Sequence, residues 1–164
     1  MANIIVVDLD GTLCDHPKAR EFTDETWSWA EFSKLIPEMV INDTLDDLIA
    51  GYTHLGNVVN FVTARPWFLA DATIDWLWKV RMWEGDGVDK LYCAQPTDDA
   101  HFEIARKRGG YAALKKAHAR YKLETIRRIE GEGNKVRAVF EDNPEAIKLL
   151  REEGYQVFGV DFKC

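Results

Sequence analysis

Cysteine is scarce in this chain of 164 residues, and Cys14, Cys93 and Cys164 have no ligand-like spacing. Three scattered cysteines argue against a disulfide framework or a structural zinc site, and for free thiols in a reducing compartment. Proline is sparse too, at five residues, and no tract is rich in Pro, Gly or Ser. With no internal repeat and no low-complexity stretch, nothing marks a linker, and a single domain over residues 1–164 is expected. No apolar run approaches the roughly 20 residues of a membrane span. The apolar N-terminal run has no basic flank and meets Asp8 almost at once, unlike a signal peptide, so a cytoplasmic protein with no membrane partner is expected. A Gly-x-x-x-x-Gly-Lys-Ser/Thr phosphate loop is missing, which excludes a P-loop kinase. The four histidines, His16, His54, His101 and His118, show no paired ligand spacing.

Apolar residues make up 46% of the chain, enough for a buried core. The formal charge of −7 argues against general nucleic-acid binding, but it is unevenly spread. Nine basic residues between Ala105 and Arg128 face one acid, Glu124, a local net of +8 against −15 for the remainder. Such a stretch is either a solvated helix face or a docking surface for a polyanion.

Five short apolar runs rich in β-branched or aromatic residues read as strands: Asn3 to Asp8, Asn57 to Thr63, Lys90 to Cys93, Val136 to Glu141 and Tyr155 to Val160. Helical periodicity occupies Thr44 to His54, Trp67 to Trp83, Tyr121 to Ile129 and Pro144 to Glu153. Asp43, Asp46 and Asp47 fit the solvated start of the first of these helices. Asn143-Pro144 and Gly154 fit the entry and exit of the last. This alternation predicts an α/β fold, a parallel five-stranded sheet with helices on both faces. His16 to Pro37 and Pro96 to Ala119 do not fit the sheet and are expected to form flaps, with Trp27 and Trp29 as packing residues.

In an open parallel sheet, ligands bind beyond the carboxyl ends of the strands. The first strand delivers Asp8 and Asp10, whose i, i+2 spacing lets both lean to one side of the strand end. The second delivers Thr63-Ala64-Arg65, the fourth Glu141-Asp142-Asn143, and Lys122 precedes that fourth strand. Carboxylates without histidine or cysteine among them suit magnesium, which prefers oxygen ligands and bridges to phosphate.

Together these residues resemble the four-part signature of the haloacid dehalogenase superfamily of aspartyl-phosphate phosphohydrolases. The signature stands here as Asp8-Leu9-Asp10-Gly11-Thr12, then Thr63, Lys122 and Glu141-Asp142. The likeness runs from about Asn3 to Val160 and implies a Rossmann-like core with minimal cap insertions. Within the superfamily the chain is most similar to the 3′-phosphatase domain of bacteriophage polynucleotide kinase. The supporting residues are Thr63-Ala64-Arg65, Tyr121-Lys122-Leu123-Glu124 and Val139-Phe140-Glu141-Asp142-Asn143. It departs from that domain at His118, where the phage domain carries an aspartate one turn before the lysine.

The resemblance implies that Asp8 is the nucleophile and Asp10 the acid that protonates the leaving oxygen and then activates water. Magnesium would be held by Asp8, the Asp10 main-chain carbonyl and Asp142, with Glu141 orienting the outer shell. Thr63, Lys122 and the turn amides at Leu9 to Gly11 would bind phosphoryl oxygens. Arg65 and Arg20 would reach the substrate. The expected substrate is a phosphate monoester, a nucleic-acid 3′ end or a nucleotide. Two other readings stay open: a mononucleotide or small-metabolite phosphatase, and a non-catalytic phosphate binder.

Overall fold

A computed structural model describes residues 1–23, 25–83 and 90–164; Asp24, inside the first expected flap, falls outside them. Along the chain the elements are β1 (Asn3–Val7), β2 (Cys14–Asp15), α1 (Trp29–Ser33), β3 (Val40–Ile41), α2 (Asp43–His54), β4 (Val58–Pro66), α3 (Ala70–Lys79), β5 (Lys90–Ala94), α4 (Pro96–Gly131), β6 (Lys135–Glu141), α5 (Pro144–Glu152) and β7 (Val157–Gly159).

Five strands form one parallel sheet in the order β5-β4-β1-β6-β7, so β1 lies at the centre between β4 and β6. Alternation along β1 sends Ile5 and Val7 to one face and Ile4 and Val6 to the other, and all four are buried. Burial on both faces explains why the strand is an unbroken apolar run. On the first face Ile5, Val7, Phe61 and Phe140 pack with Leu45 and Ile49 of α2 and Trp76 and Leu77 of α3. On the second, Ile4, Val6, Val62 and Val139 pack with Ile126 and Ile129 of α4 and Leu150 of α5. The α/β architecture with a Rossmann-like core is as expected.

Three features differ from expectation. The segment Pro96 to Ala119 is not a flap but helical: it belongs to α4, two helical stretches over 36 residues joined at Gly110, the second running on through Lys122. Pro96 opens it, and a capping box joins Gln95 to Asp98, with the Gln95 amide 2.8 Å from the Asp98 carboxylate. Its few buried positions before Ala119 hide the helical period, and Gly110, at φ 65° and ψ −155°, interrupts it. Lys122 therefore sits well inside a helix rather than near the start of one. The segment Trp67 to Trp83 begins as a 3-10 turn over Trp67–Leu69, and its α-helix stops at Lys79. Finally, β2 and β3 pair as a two-residue antiparallel ribbon, Cys14 opposite Ile41 and Asp15 opposite Val40, too short for a periodic signal. Asn42, one residue before the aspartates, caps α2 by accepting the Leu45 amide at 3.3 Å.

Among the described residues no helix is long and apolar enough to cross a membrane.

The break at Gly110 and the helix end at Gly131 respond oppositely to a methyl group. Gly110 holds a backbone conformation open essentially only to glycine, so Gly110→Ala is expected to cost about 1–3 kcal/mol. A Cβ on Gly131 meets nothing within 4 Å, and Gly131→Ala is expected to add about 0.4–1 kcal/mol by restricting the unfolded chain. Urea unfolding of the two variants checks both signs.

Candidate active site

The site is built outward from the end of β1. Its ladder with β6 continues one residue beyond the strand, because the Asp8 amide donates to the Phe140 carbonyl at 3.0 Å. Asp8 thus leaves the sheet at a fixed place. The chain then folds onto itself: the amides of Thr12, Leu13 and Cys14 all donate to the Leu9 carbonyl at 2.9–3.1 Å, and the Gly11 amide donates to Cys14 at 2.8 Å. Gly11 sits at φ +82°, and a Cβ there would stand 2.5 Å from Oδ2 of Asp142. Only glycine allows both the turn and the approach of Asp142 to it. Thr12, part of the motif but given no role from sequence, donates its hydroxyl to Oδ2 of Asp8 at 3.1 Å.

Lys122 joins α4 to this floor. Its ammonium lies 2.8 Å from Oδ1 of Asp8 and 2.5 Å from Oε2 of Glu141, with all three side chains buried. Burial pulls the ammonium pKa down, but Asp8 and Glu141 outweigh it and hold the lysine protonated well above its ordinary value. The other oxygen of Glu141 accepts the amides of Asp142 and Asn143 at 3.1 and 2.9 Å. Glu141, expected to orient a metal's outer shell, also braces Lys122 and the loop after β6.

Carboxylate oxygens of Asp8, Glu141 and Asp142 lie within 4.8 Å of one another, so the cluster can hold a metal ion. The donors are all oxygens, as a hard divalent cation requires. Burial first, then neighbouring carboxylates, pushes Asp8 well up from the ordinary carboxylate range. Burial and Glu141 likewise push Asp142 to about 6. One ammonium does not offset this crowded negative charge, and a cation beside Asp8 and Asp142 would.

Asp10 faces a different partner. Arg65 grips it with two bonds, Nε to Oδ2 at 2.9 Å and Nη2 to Oδ1 at 2.5 Å. Nη1 of the same guanidinium donates to the Thr73 hydroxyl at 3.1 Å, and the group lies 5.4 Å over the Phe32 ring. Arg65 was expected to reach the substrate. It is instead fully buried, with its donors turned to Asp10 and Thr73. Thr63 is buried beside it and accepts the Arg65 amide at 3.1 Å. Arg20, the other expected substrate contact, donates to Asp15 and to the Cys164 carbonyl, each at 2.6 Å.

Asp8, Asp10, Thr63, Lys122 and Asp142 share the floor of a cleft of about 940 Å³, and Arg20 and Arg65 also line it. Leu9 is buried beneath the turn, with its carbonyl collecting the three amides. Trp27, Trp29 and Phe32 line it together, with Trp29 edge to face against the other two and Trp27 tilted on Phe32, at 5.2–5.5 Å. The two tryptophans pack on the core, as expected, and face the cleft as well. α4 contributes Phe102, Tyr111, Lys115 and His118 to the same cleft. His118 lies edge-on to Phe102 at 4.4 Å. Burial, helped by the Lys122 charge, lowers its pKa to about 4, so its imidazole is neutral at pH 7. Asn143, read from sequence as the entry of the last helix, also takes a place beside the cleft. It caps α5 through the Glu145 amide and donates to the Lys115 carbonyl at 3.0 Å, tying the loop after β6 to α4.

No family model and no curated protein matches this chain. Among solved structures, a chain in the structure of the Pnkp1/Rnl/Hen1 RNA repair complex matches with a TM-score of 0.67 at 16% identity, over 99% of this chain. This chain spans 43% of that one. At such identity the likeness is one of fold.

Removing Lys122 leaves two buried carboxylates without their cation. Lys122→Met is expected to destabilise the fold by about 3–5 kcal/mol in chemical denaturation. Asp142 titrates differently. A carboxyl whose pKa is raised by folding binds its proton more tightly in the folded state, so its ionisation costs stability as pH rises through about 6. In chelator, Asp142→Asn is therefore expected to melt above the parent at pH 7–8. The advantage should fade as pH falls through about 6 and vanish below the unfolded carboxyl's pKa, near 4; thermal unfolding across that range reads it.

Proposed function

We propose that this protein is a magnesium-dependent phosphomonoesterase of the haloacid dehalogenase type, acting through an aspartyl phosphate on Asp8 to remove 3′-phosphates from nucleic-acid ends. The observation that carries this reading is Asp8 itself. It is a carboxylate at the end of the central strand, held by Lys122 and Thr12, with Asp142 adjacent and Asp10 two residues on.

Asp8 attacks phosphorus, forming a carboxyl–phosphate bond as the ester oxygen departs with a proton from Asp10. Asp10 then takes a proton from water, which attacks the same phosphorus and frees Asp8. Lys122 and Thr63 bind the phosphoryl oxygens, and Arg65 keeps both oxygens of Asp10 oriented for the two proton transfers. Magnesium, held by Asp8, Asp142 and the Asp10 carbonyl, would supply the positive charge that lets an anionic nucleophile meet an anionic phosphate.

The nucleic-acid choice draws on the walls of the cleft. Indoles offer a stacking platform for bases, and the facing helix carries the basic stretch. Fold likeness to a chain of an RNA repair complex is in keeping with this choice.

A phosphate-release panel with magnesium tests the proposal, comparing 3′-phosphorylated oligonucleotides, 5′-phosphorylated oligonucleotides, mononucleotides and sugar phosphates. The 3′-phosphorylated oligonucleotides should turn over fastest, falling as salt rises because phosphate contacts release counterions. Asp8→Asn should abolish release with the circular dichroism spectrum unchanged. Indifference to salt and chain length would make the protein a small-metabolite phosphatase, and substantial turnover by Asp8→Asn would end the proposed mechanism.

A further inference from the structure

Beyond the break at Gly110, one side of α4 presents Tyr111, Lys115, His118 and Lys122 to the cleft. Steps of three and four residues keep these side chains on a common face. Seven residues separate Lys115 from Lys122, about 10 Å of helical rise. Lys122 is buried against Asp8; Lys115 is less buried, with its ammonium 4.8 Å over the exposed Tyr111 ring. The Asn143 bond to the Lys115 carbonyl sets this position relative to Asp142. Acids on the same wall, Asp99 and Glu103, belong to the part of α4 before Gly110, and Glu103 is paired with Lys107 at 2.7 Å.

We propose that Lys115 forms a second anion subsite, taking the phosphodiester that precedes the terminal nucleoside while the 3′-phosphate occupies the Asp8–Lys122 end. The proposal rests on the 3′-phosphatase reading of that end. The rise between the two lysines, together with the reach of the Lys115 side chain, leaves room for one nucleoside, which crosses the cleft against Trp27 and Trp29. A mononucleotide or sugar phosphate has no second phosphate to place there, so the subsite separates oligonucleotide ends from small esters of the same chemistry.

The test pairs a change in the protein with a change in the ligand. Fluorescence anisotropy measures binding of a single-stranded 3′-phosphorylated oligonucleotide whose last internucleotide linkage is either a phosphodiester or an uncharged methylphosphonate. The protein is the full chain carrying Asp8→Asn, which prevents turnover, alone or combined with Lys115→Ala or Lys115→Arg. With Lys115 present, the neutral linkage should weaken binding by about tenfold, as expected for loss of one charged contact. With Lys115→Ala that penalty should disappear, and with Lys115→Arg it should return. Lys115→Ala should also shallow the dependence of log K on log salt by about 0.7, one single-strand phosphate contact. An equal penalty with and without Lys115, or no penalty in the parent, overturns the subsite. Phosphate release by the wild-type protein is followed in parallel. Release without the coupling removes only the subsite, whereas coupling without release keeps the subsite and removes the enzymatic reading.

Discussion

The Lys122 ammonium, buried between the carboxylates of Asp8 and Glu141, is the contact on which the rest of the structure depends. It joins three elements, the end of β1, the second half of α4 and the end of β6. Taking these charges out of water costs several kcal/mol per ion, and only close mutual pairing offsets it. That requirement places α4 against the sheet at one height, since sliding the helix would strand all three charges. The constraint propagates, because Glu141 also accepts the Asp142 and Asn143 amides, and Asn143 reaches back to the Lys115 carbonyl. One ammonium thereby fixes a strand end, a loop and a helix face.

The two aspartates of the opening motif end in different electrostatic surroundings although they are two residues apart. Asp8 is buried, shares its lysine with Glu141 and stands within reach of Asp142. Asp10 is partly exposed and takes two hydrogen bonds from the Arg65 guanidinium. Negative charge is thus in excess on the Asp8 side and balanced on the Asp10 side. A cation would relieve the crowding at Asp8, while Arg65 already holds both oxygens of Asp10.

Much of this was legible in the chain. Runs such as Ile4 to Val7 alternate faces and are buried on both, so their β-branched continuity is a direct trace of a parallel strand. Chemistry-bearing residues near strand ends were visible for the same reason, since Asp8 follows β1 and Glu141 closes β6, while Thr63 ends its apolar run three residues before β4 ends. The first half of α4 was not legible: it is mostly exposed and charged, so no apolar stripe reveals its period, and Gly109-Gly110 resembles a loop. The β2–β3 ribbon was hidden because two residues cannot show a period of two.

By itself, then, the sequence determined the five sheet strands, most of the helices between them and the carboxylates and hydroxyl those strands carry, because burial and periodicity are properties of short stretches. Only the tertiary structure decided the partners. Arg65 reads as a group reaching for substrate until the fold brings Asp10 and Thr73 within bonding distance of it. Glu141 reads as part of a metal shell, and the fold adds Lys122 and two amides against its oxygens. Trp27 and Trp29 read as core until the cleft opens beside them. Charges and rings find their roles through contacts between residues far apart in the chain, and those distances exist only once the sheet and α4 have closed on each other.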